Sequence, residues 1–374
     1  MRLISLLALV AVLLSSCGRR DAARQGDGDT LFLQHAKLLT IVRHQGYTVA
    51  EVANPWHEGK LLQRYVLVPQ GAAMPADLPD GTVIRTPVSR AAVFTTVHCA
   101  LLTELGHGHN IVGVADLKYI KVPYVQAQVR AGRIADCGGG LNPVVEKVMD
   151  IKPDIIMLSP FENSGGYGKV EELGIPIVEC AEYMERSPLA RAEWIRFYGM
   201  LFGAQQRADS LFHVVDSSYN ALCRKARQAG PGASVLIDRI VGSVWYVPGG
   251  QSTIGQMLQD AGGRYPWAAD DHSGSLSLPF ETVLERAGDC DVWLYRYSGN
   301  HDQTYAELLA DYHGYAQLAA FRHRRVYGCN VEQSLFYEES PFRPDLLLSE
   351  FIHILHPDIP NLSPLRYYKK LKEE

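Results

Sequence analysis

The sequence has no strong excess of one charge and no long basic block. Its 36 Lys and Arg residues and 41 Asp and Glu residues give a formal net charge of −5 at pH 7. The densest basic segment is the short Lys369-Lys370-Leu371-Lys372. Because binding to nucleic acid normally needs a clustered basic surface, the sequence predicts no nucleic acid among the partners of this protein.

Motifs of several common catalytic and nucleotide-binding sites are also absent. There is no HExxH motif and no GxxxxGK[ST] loop, and Gly250-Gln251-Ser252-Thr253-Ile254 lacks the closing glycine of a GxSxG elbow. We therefore predict that the chain is not an enzyme. The alternative that stays open is an exported hydrolase on a two-lobed α/β scaffold.

Seven cysteines are present, and none belongs to a CxxC pair. This spacing argues against a zinc ribbon and against a dithiol redox motif. The spacing does not select disulfide pairs, and beyond Cys17 we expect the thiols to be mostly buried and structural. These residues are Cys99, Cys137, Cys180, Cys223, Cys290 and Cys329.

The first residues have the pattern of a lipoprotein signal peptide. Arg2 precedes an apolar run over residues 3–14, about 12 residues long and too short for the roughly 20 that a spanning helix needs. The run ends in Leu14-Ser15-Ser16-Cys17, which is similar to a lipobox. We expect residues 1–17 to be a signal peptide, Cys17 to carry lipid, and the polar segment 18–29 to be a tether. The prediction is a membrane-anchored lipoprotein of the periplasm.

The remaining chain reads as an α/β protein of two lobes. Short β-rich runs at 47–52 and 61–69 predict a β-rich N-terminal extension, and from Ala91 strands and helices alternate. A helix is predicted from Gln205 to about Gln228, roughly 36 Å long. The predicted divisions are an extension over 30–82, an N-terminal lobe over 83–186, linking helices over 187–230 and a C-terminal lobe over 231–374.

The two lobes contain similar segments. In each, a helix that begins near a proline carries an early glutamate and precedes an aspartate and a buried strand. The segments are 142–158 and 278–295. This repetition predicts two related lobes on either side of the long helix.

Several motifs together resemble the periplasmic binding proteins of iron-siderophore, haem and cobalamin importers. The matching segments are 102–113, 142–154, 187–203, 245–250, 261–263, 277–281 and 343–346. The resemblance extends from about Val83 to Pro357. It implies two Rossmann-like lobes joined by a single rigid helix. It also implies a monomer without a cofactor that captures an iron complex or a corrinoid and delivers it to an ABC permease with its ATPase subunit.

The resemblance also assigns roles to two glutamates. The family places one glutamate at the outer tip of each lobe, where it pairs with permease arginines, and Glu146 and Glu281 match those positions. Each lies near a helix N-terminus, where a carboxylate is favoured, beside a predicted apolar face. The two predicted faces are Val145, Val148 and Met149, and Phe280, Val283, Leu284 and Ala287.

The ligand of such an architecture binds between the lobes, where loops follow the strand ends. Loops 161–168 and 295–301 carry aromatic and hydrogen-bonding side chains that suit a corrin, a porphyrin or a catechol, and arginines suit carboxylate or phosphate. The predicted ligand-contacting residues are Thr96, Tyr119, Tyr167, Arg186, Arg239, Trp245, Arg296 and Tyr297. The sequence does not choose among ferric siderophore, haem and cobalamin.

The histidines predict no site for a bare metal ion. His107-Gly108-His109 lies in a predicted surface turn, and His353 and His356 are assigned to packing and capping of the last helix. A carrier of a chelated metal is therefore favoured over a carrier of free zinc or manganese.

Overall fold

The computed structural model describes residues 28–162 and 166–373. The predicted signal peptide, the lipidation site Cys17 and nearly all of the tether lie outside these residues. Within the described ranges, no helix is both long and apolar enough to cross a membrane. The chain forms an N-terminal β-sheet and two α/β lobes joined by helices, which confirms the predicted fold class.

The N-terminal extension is a five-stranded sheet in the order β1-β2-β3-β4-β5. Its first four strands are antiparallel, and β5 pairs in parallel with β4. Side chains alternate between core and solvent, since Leu39 and Ile41 are buried while Thr40 is exposed. The strands are β1 Asp29–Leu31, β2 Leu39–His44, β3 Tyr47–Ala53, β4 Leu61–Pro69 and β5 Thr82–Thr86.

Two buried carboxylates attach this extension to the start of the linking helices. The carboxylate of Glu193 accepts hydrogen bonds from the backbone N–H groups of residues 34, 35 and 36 at 2.9, 2.7 and 2.9 Å. The carboxylate of Glu185 accepts hydrogen bonds from the backbone N–H groups of residues 37 and 38 at 3.0 and 2.9 Å, and from the indole N–H of Trp194 at 3.0 Å. Because Glu185 and Glu193 are 4% and 0% exposed, these bonds replace water that the carboxylates have lost.

The N-terminal lobe is built on a parallel sheet in the order β10-β9-β6-β7-β8. Its central strands are buried runs of apolar residues, as expected for a parallel sheet covered on both faces. The strands are β6 Ala91–Val93, β7 Ile111–Val114, β8 Ala135–Asp136, β9 Ile155–Leu158 and β10 Ile177–Glu179. The helices are α1 Thr96–Glu104, α2 Pro123–Arg130 and α3 Val145–Asp150.

Helix α3 begins later than its sequence predicts. Asn142-Pro143 suggests a helix start, but Pro143 forms a β-bridge with Gly138 and Val144 is extended with φ −75° and ψ 102°. The N–H of Val144 donates to the carbonyl of Cys137 instead of entering a helix. This competing backbone bond shortens α3 to six residues.

The linking helices are α4 Pro188–Glu193, α5 Ile195–Leu201 and α6 Gln205–Ala229. The predicted start is confirmed: the side chain of Ser187 accepts a bond from Ala190 N at 3.1 Å, and Pro188 occupies the first turn. Helix α6 has 25 residues and ends at Gly230, whose φ is 84°. A Cβ at Gly199 would lie 2.4 Å from Cβ of Ala208, so the close contact of α5 with α6 requires glycine.

The C-terminal lobe contains two sheets instead of one. Strands β11, β15 and β16 are parallel with β17 antiparallel at the edge, and β12, β13 and β14 form a separate antiparallel sheet. The strands are β11 Val235–Ile237, β12 Ile240–Val241, β13 Val244–Pro248, β14 Ser275–Leu278, β15 Val292–Tyr297, β16 Val326–Asn330 and β17 Lys369–Lys370. The helices are α7 Thr253–Asp260, α8 Phe280–Ala287, α9 Tyr305–Asp311, α10 Ala319–Arg322, α11 Phe336–Glu339 and α12 Pro344–Leu355.

The carboxylate of Glu193 is expected to be a major contributor to the stability of the fold. Glu193→Ala leaves buried backbone N–H groups without an acceptor, so the free energy of unfolding should fall by about 3 kcal/mol. Denaturant unfolding of the purified variant measures this change. Glu172→Ala, at an exposed position of the same lobe, is the control and should change stability little. Equal stability of the two variants would contradict the role given to Glu193.

Candidate functional site

The main cavity lies on the N-terminal lobe, at the carboxyl edge of its parallel sheet. Strands β6 and β9 both end there, and the loops that follow them form its walls. Its volume is about 640 Å³. Its described lining residues are Phe94, Gly140, Leu141, Asn142, Pro143, Val145, Leu158, Ser159, Phe161, Gly166, Tyr167, Gly168, Lys169 and Val170. The carboxyl edge of parallel strands is the usual place for ligand binding in open α/β folds.

Aromatic and aliphatic side chains dominate this cavity. Phe94, Phe161 and Tyr167 supply rings, and Lys169 is the one charged residue among its described lining residues. The same described lining contains no His, Cys or Met. The cavity is therefore suited to a bulky ligand with flat apolar surface.

The phenol of Tyr167 is oriented by two acidic groups. Its hydroxyl donates to Glu179 Oε1 at 2.6 Å, and its backbone N–H donates to Glu171 Oε1 at 2.7 Å. Burial raises the pKa of Tyr167, and the hydrogen bond to Glu179 raises it further. Burial also raises the pKa of Glu179. The Tyr167 hydroxyl is thus held as a neutral donor to Glu179 in this arrangement.

Thr96, a predicted ligand contact, instead joins the two lobes. Its hydroxyl donates to Glu338 Oε1 at 3.1 Å, and the backbone N–H of Lys121 donates to the same oxygen at 3.1 Å. Lys121 Nζ lies 2.5 Å from Glu332 Oε2. Glu338 is 3% exposed, and this burial raises the pKa of its carboxyl. We call this set of contacts, Thr96 and Lys121 with Glu332 and Glu338, the lobe contact.

Two predicted arginines of the C-terminal lobe already have carboxylate partners. Arg296 Nε lies 2.9 Å from Asp238 Oδ1, and its Nη2 lies 2.5 Å from Asp238 Oδ2. Arg239 Nη1 lies 2.8 Å from Asp311 Oδ2. Arg296 also lines a smaller cavity of about 200 Å³ between the lobes. These pairs orient the guanidinium groups and reduce the positive charge that either offers to an anionic ligand.

The structure places two other predicted ligand contacts in the core. Trp245 has no exposed surface, and its Nε1 donates to the carbonyl of Ile237 at 2.9 Å. Tyr297 is 8% exposed, and its hydroxyl accepts the N–H of Gln303 at 2.9 Å. Both rings are therefore packed inside the C-terminal lobe, and their contact with a ligand stays a prediction.

The last two predicted contacts are accessible but lie apart from the main cavity. Tyr119 is 58% exposed, with Lys118 Nζ 4.6 Å from its ring centroid. Arg186 lines a separate cavity of about 610 Å³ formed by the extension, including Trp56, and the start of the linking helices. Of the eight residues, Tyr167 alone lines the main cavity.

Glu146 and Glu281 occupy corresponding places in the two lobes. Each lies in the first turn of its helix, α3 and α8, and each side chain is exposed. The apolar face predicted beside Glu281 is largely buried, with Phe280, Val283 and Ala287 in the core. The face predicted beside Glu146 is buried less completely, because α3 is short.

Around Glu146 only Val148 of the predicted face is fully buried. Met149 is 56% exposed, and the neighbouring Leu141 and Val144 are 78% and 40% exposed. The structure thus buries only part of the apolar face predicted on α3. These exposed apolar side chains lie on either side of the exposed Glu146 along the chain.

Sequence reasoning missed a group of potential metal ligands. His98, Cys180 and Glu182 have donor atoms that all lie within 4.8 Å of one another, and all three residues are buried. His98 is far in the sequence from Cys180 and Glu182, and the three form no motif, so no spacing could have indicated them. The six cysteines predicted to be buried and structural are all buried, with free thiols.

The predicted roles of the other histidines agree with their contacts. His107 Nδ1 lies 3.1 Å from Asn110 Oδ1 in the turn after α1, and its ring stacks on that of His109. His356 Nε2 lies 2.8 Å from the carbonyl of Ala261. Hydrogen bonds to the turn and to the backbone therefore occupy these groups.

Comparisons with known proteins agree on the class of this architecture. An uncharacterized lipoprotein of Methanocaldococcus jannaschii is 26% identical over 286 residues, which are 74% of this chain and 67% of the relative. An uncharacterized ABC transporter substrate-binding lipoprotein of Bacillus subtilis is 23% identical over 242 residues, which are 63% of this chain and 70% of the relative.

A periplasmic heme binding protein from Pseudomonas aeruginosa shares the fold. Its TM-score is 0.57 at 17% identity, and the match covers 75% of this chain and 96% of that one. At this identity the likeness concerns the fold alone.

The sequence profile described as "Periplasmic binding protein" matches residues 92–332. This range includes the main cavity, the linking helices and most of the C-terminal lobe. The family and its structural neighbours are substrate-binding proteins and not enzymes, which confirms the prediction made from the missing catalytic motifs. The chain belongs to the periplasmic binding protein family.

Proposed function

We propose that the chain is a lipid-anchored binding protein that captures an iron complex or a corrinoid outside the cytoplasm and delivers it to an ABC permease. The observation that carries this proposal is the main cavity, with its aromatic walls and single lysine at the carboxyl edge of the N-terminal sheet. A ligand there would be held by ring stacking and apolar contact, with Lys169 free to meet a carboxylate or phosphate.

The donor set of the cavity favours a metal that arrives already chelated. The described lining lacks His, Cys and Met, and Tyr167 is engaged with Glu179. A bare ion would therefore have few protein ligands, whereas a ferric siderophore, haem or cobalamin carries its own. The heme-binding title of the Pseudomonas aeruginosa neighbour and the transporter title of the Bacillus subtilis relative support the same class.

Delivery to a permease is proposed through Glu146 and Glu281. Both are exposed at helix starts on different lobes, so a single partner could contact both carboxylates. The exposed Leu141, Val144 and Met149 near Glu146 would lose contact with water in the same complex. We infer that the partner presents arginines to the carboxylates and an apolar surface between them.

Ligand affinity should depend on the aromatic wall. Phe161→Ala removes a ring that is 47% exposed at the cavity, and we expect the dissociation constant to rise about tenfold. The absorption spectrum of protein purified from its native host identifies the ligand class. Fluorescence titration with a ferric hydroxamate, haem and cobalamin then measures affinity. Phe32→Ala, at a ring 79% exposed on the extension, is the matched control. Absence of binding to all three ligands would refute the proposed ligand class.

Charge reversal at the two glutamates should separate transport from binding. In Glu146→Lys with Glu281→Lys, each permease arginine loses its partner, which can cost about 2–5 kcal/mol per site in the complex. Cells carrying the double variant should lose uptake, whereas the purified protein should keep its fold and ligand affinity. Glu172→Lys with Asp358→Lys reverses exposed charges on other elements of the two lobes and should leave uptake unchanged. Normal uptake by the first pair would make Glu146 and Glu281 ordinary surface charges.

The lipid anchor has a separate test. Cys17→Ser cannot accept a thioether-linked lipid, so the protein should move from the membrane fraction to the soluble fraction with ligand binding intact. Fractionation and mass spectrometry of the N-terminal peptide measure the change. A variant that still carries acyl chains and stays with membranes would disprove lipidation at Cys17.

A further inference from the structure

A buried polar cluster lies where the N-terminal lobe meets the linking helices. His98 is on α1, and Cys180 and Glu182 follow β10. The three donor atoms lie within 4.8 Å of one another, and the exposed fractions of the residues are 1%, 0% and 1%. An imidazole, a thiol and a carboxylate at such distances are the ligand types that zinc-class ions prefer.

The two nitrogens of His98 have different surroundings. Nδ1 lies 2.6 Å from Thr95 Oγ1, which can accept a hydrogen bond from a protonated Nδ1. Nε2 is buried and has no hydrogen-bond partner among the residues that the structure describes. With the proton on Nδ1, the lone pair of Nε2 points into the cluster. Metal-binding histidines usually show this pattern, in which the second nitrogen is bonded to a group that orients the ring.

Glu182 is kept ionised by its neighbours. Its Oε2 accepts the hydroxyl of Tyr198 at 2.8 Å, and Arg191 Nη2 lies 3.8 Å from Oε1. Both contacts favour the ionised form of the carboxyl. The cluster therefore has a carboxylate ready to bind a cation.

The present contacts do not satisfy the cluster as a simple ion-pair network. His98 Nε2 is 3.6 Å from Glu182 Oε2, which is longer than a hydrogen bond. An unpaired buried nitrogen such as His98 Nε2 is costly and calls for an explanation. A cation between the imidazole and the carboxylate would occupy the lone pair of Nε2.

We propose that His98, Cys180 and Glu182 bind a transition metal ion of the zinc class. In a tetrahedral site the ligand atoms would be about 3.5 Å apart, so the cluster must contract by roughly 1 Å from its widest separation. The thiol of Cys180 gives up its proton to solvent as the sulfur–metal bond forms. Thiolate and carboxylate then balance the two positive charges of the ion, and His98 binds as the neutral imidazole.

The residues around the cluster suggest a route by which a metal ion could enter and an effect of the bound ion on the contact between the lobes. Arg191, next to Glu182, lines the 200 Å³ cavity between the lobes together with Val97, the neighbour of His98. The ring of Phe342, from the C-terminal half of the chain, packs edge-on against His98 at a centroid distance of 5.6 Å. An ion on His98 would therefore fix a ring that supports the contact between the lobes, and this site is separate from the main cavity.

Cobalt(II) is the probe for this site. The metal-free protein carrying Cys17→Ser, which removes the N-terminal thiol, should bind one equivalent of Co²⁺. A thiolate-to-cobalt charge-transfer band and visible bands of tetrahedral cobalt should appear, and zinc should abolish both. Addition of Cys180→Ser should remove the charge-transfer band. Addition of Cys99→Ser, at another fully buried thiol of the same lobe, should preserve it.

A second measurement covers the case in which Cys180→Ser fails to fold. Zinc should raise the melting temperature of the Cys17→Ser protein in a concentration-dependent way, and His98→Gln should weaken zinc binding at least about tenfold. Folded protein that shows neither a cobalt spectrum nor a zinc-dependent melting temperature would overturn the proposal. A charge-transfer band that survives Cys180→Ser would overturn it as well.

Discussion

The fold depends on the two carboxylates that hold the chain at the start of the linking helices. Glu185 and Glu193 together accept five backbone N–H groups of the extension, and Glu185 also accepts the indole of Trp194. Without them the backbone donors of segment 34–38 that face these buried carboxylates would lose their acceptors, which is costly. The extension is thereby fixed to the same helices that join the lobes, so extension, N-terminal lobe and linker form one packed unit.

That unit positions the residues of both proposed sites, the main cavity and the buried polar cluster. The carboxyl ends of β6 and β9 form the floor of the main cavity, and the residues after β6 and β10 also supply Thr95, His98, Cys180 and Glu182. The same sheet edge therefore supports an apolar cavity for a large ligand and a small polar cluster beneath the lobe contact. The two differ in character because the cavity is lined by rings and loops, whereas the cluster is enclosed by α1 and the linking helices.

Polar groups between the lobes are largely satisfied within the protein. Glu338 bonds to Thr96 and Lys121, and Arg296 bonds to Asp238, so these groups have few bonds left for a ligand. A ligand in the main cavity would gain most from apolar contact and stacking on Phe94 and Phe161. Ligand discrimination would then come from shape and aromatic surface more than from charge.

The sequence by itself determined the α/β order, the caps of the linking helices, the length of α6 and the family. These features depend on local patterns: Ser187-Pro188 fixes a helix start and Gly230 a helix end whatever packs around them. The sequence also indicated that loop 161–168 would carry ligand chemistry, and Phe161 and Tyr167 do line the main cavity. Such signals are readable because the residues involved are neighbours in the chain.

Only the tertiary structure decided which side chains remain accessible to a ligand or a partner. Trp245 and Tyr297 lie beside strand ends, as a ligand contact would, but the packing of the C-terminal lobe buries both rings. Met149 fits a helical apolar face, yet α3 is too short to cover it. His98, Cys180 and Glu182 meet because parallel strands bring distant segments to one sheet edge. Spacing along the chain cannot encode that proximity, because it arises from strand order and crossover helices.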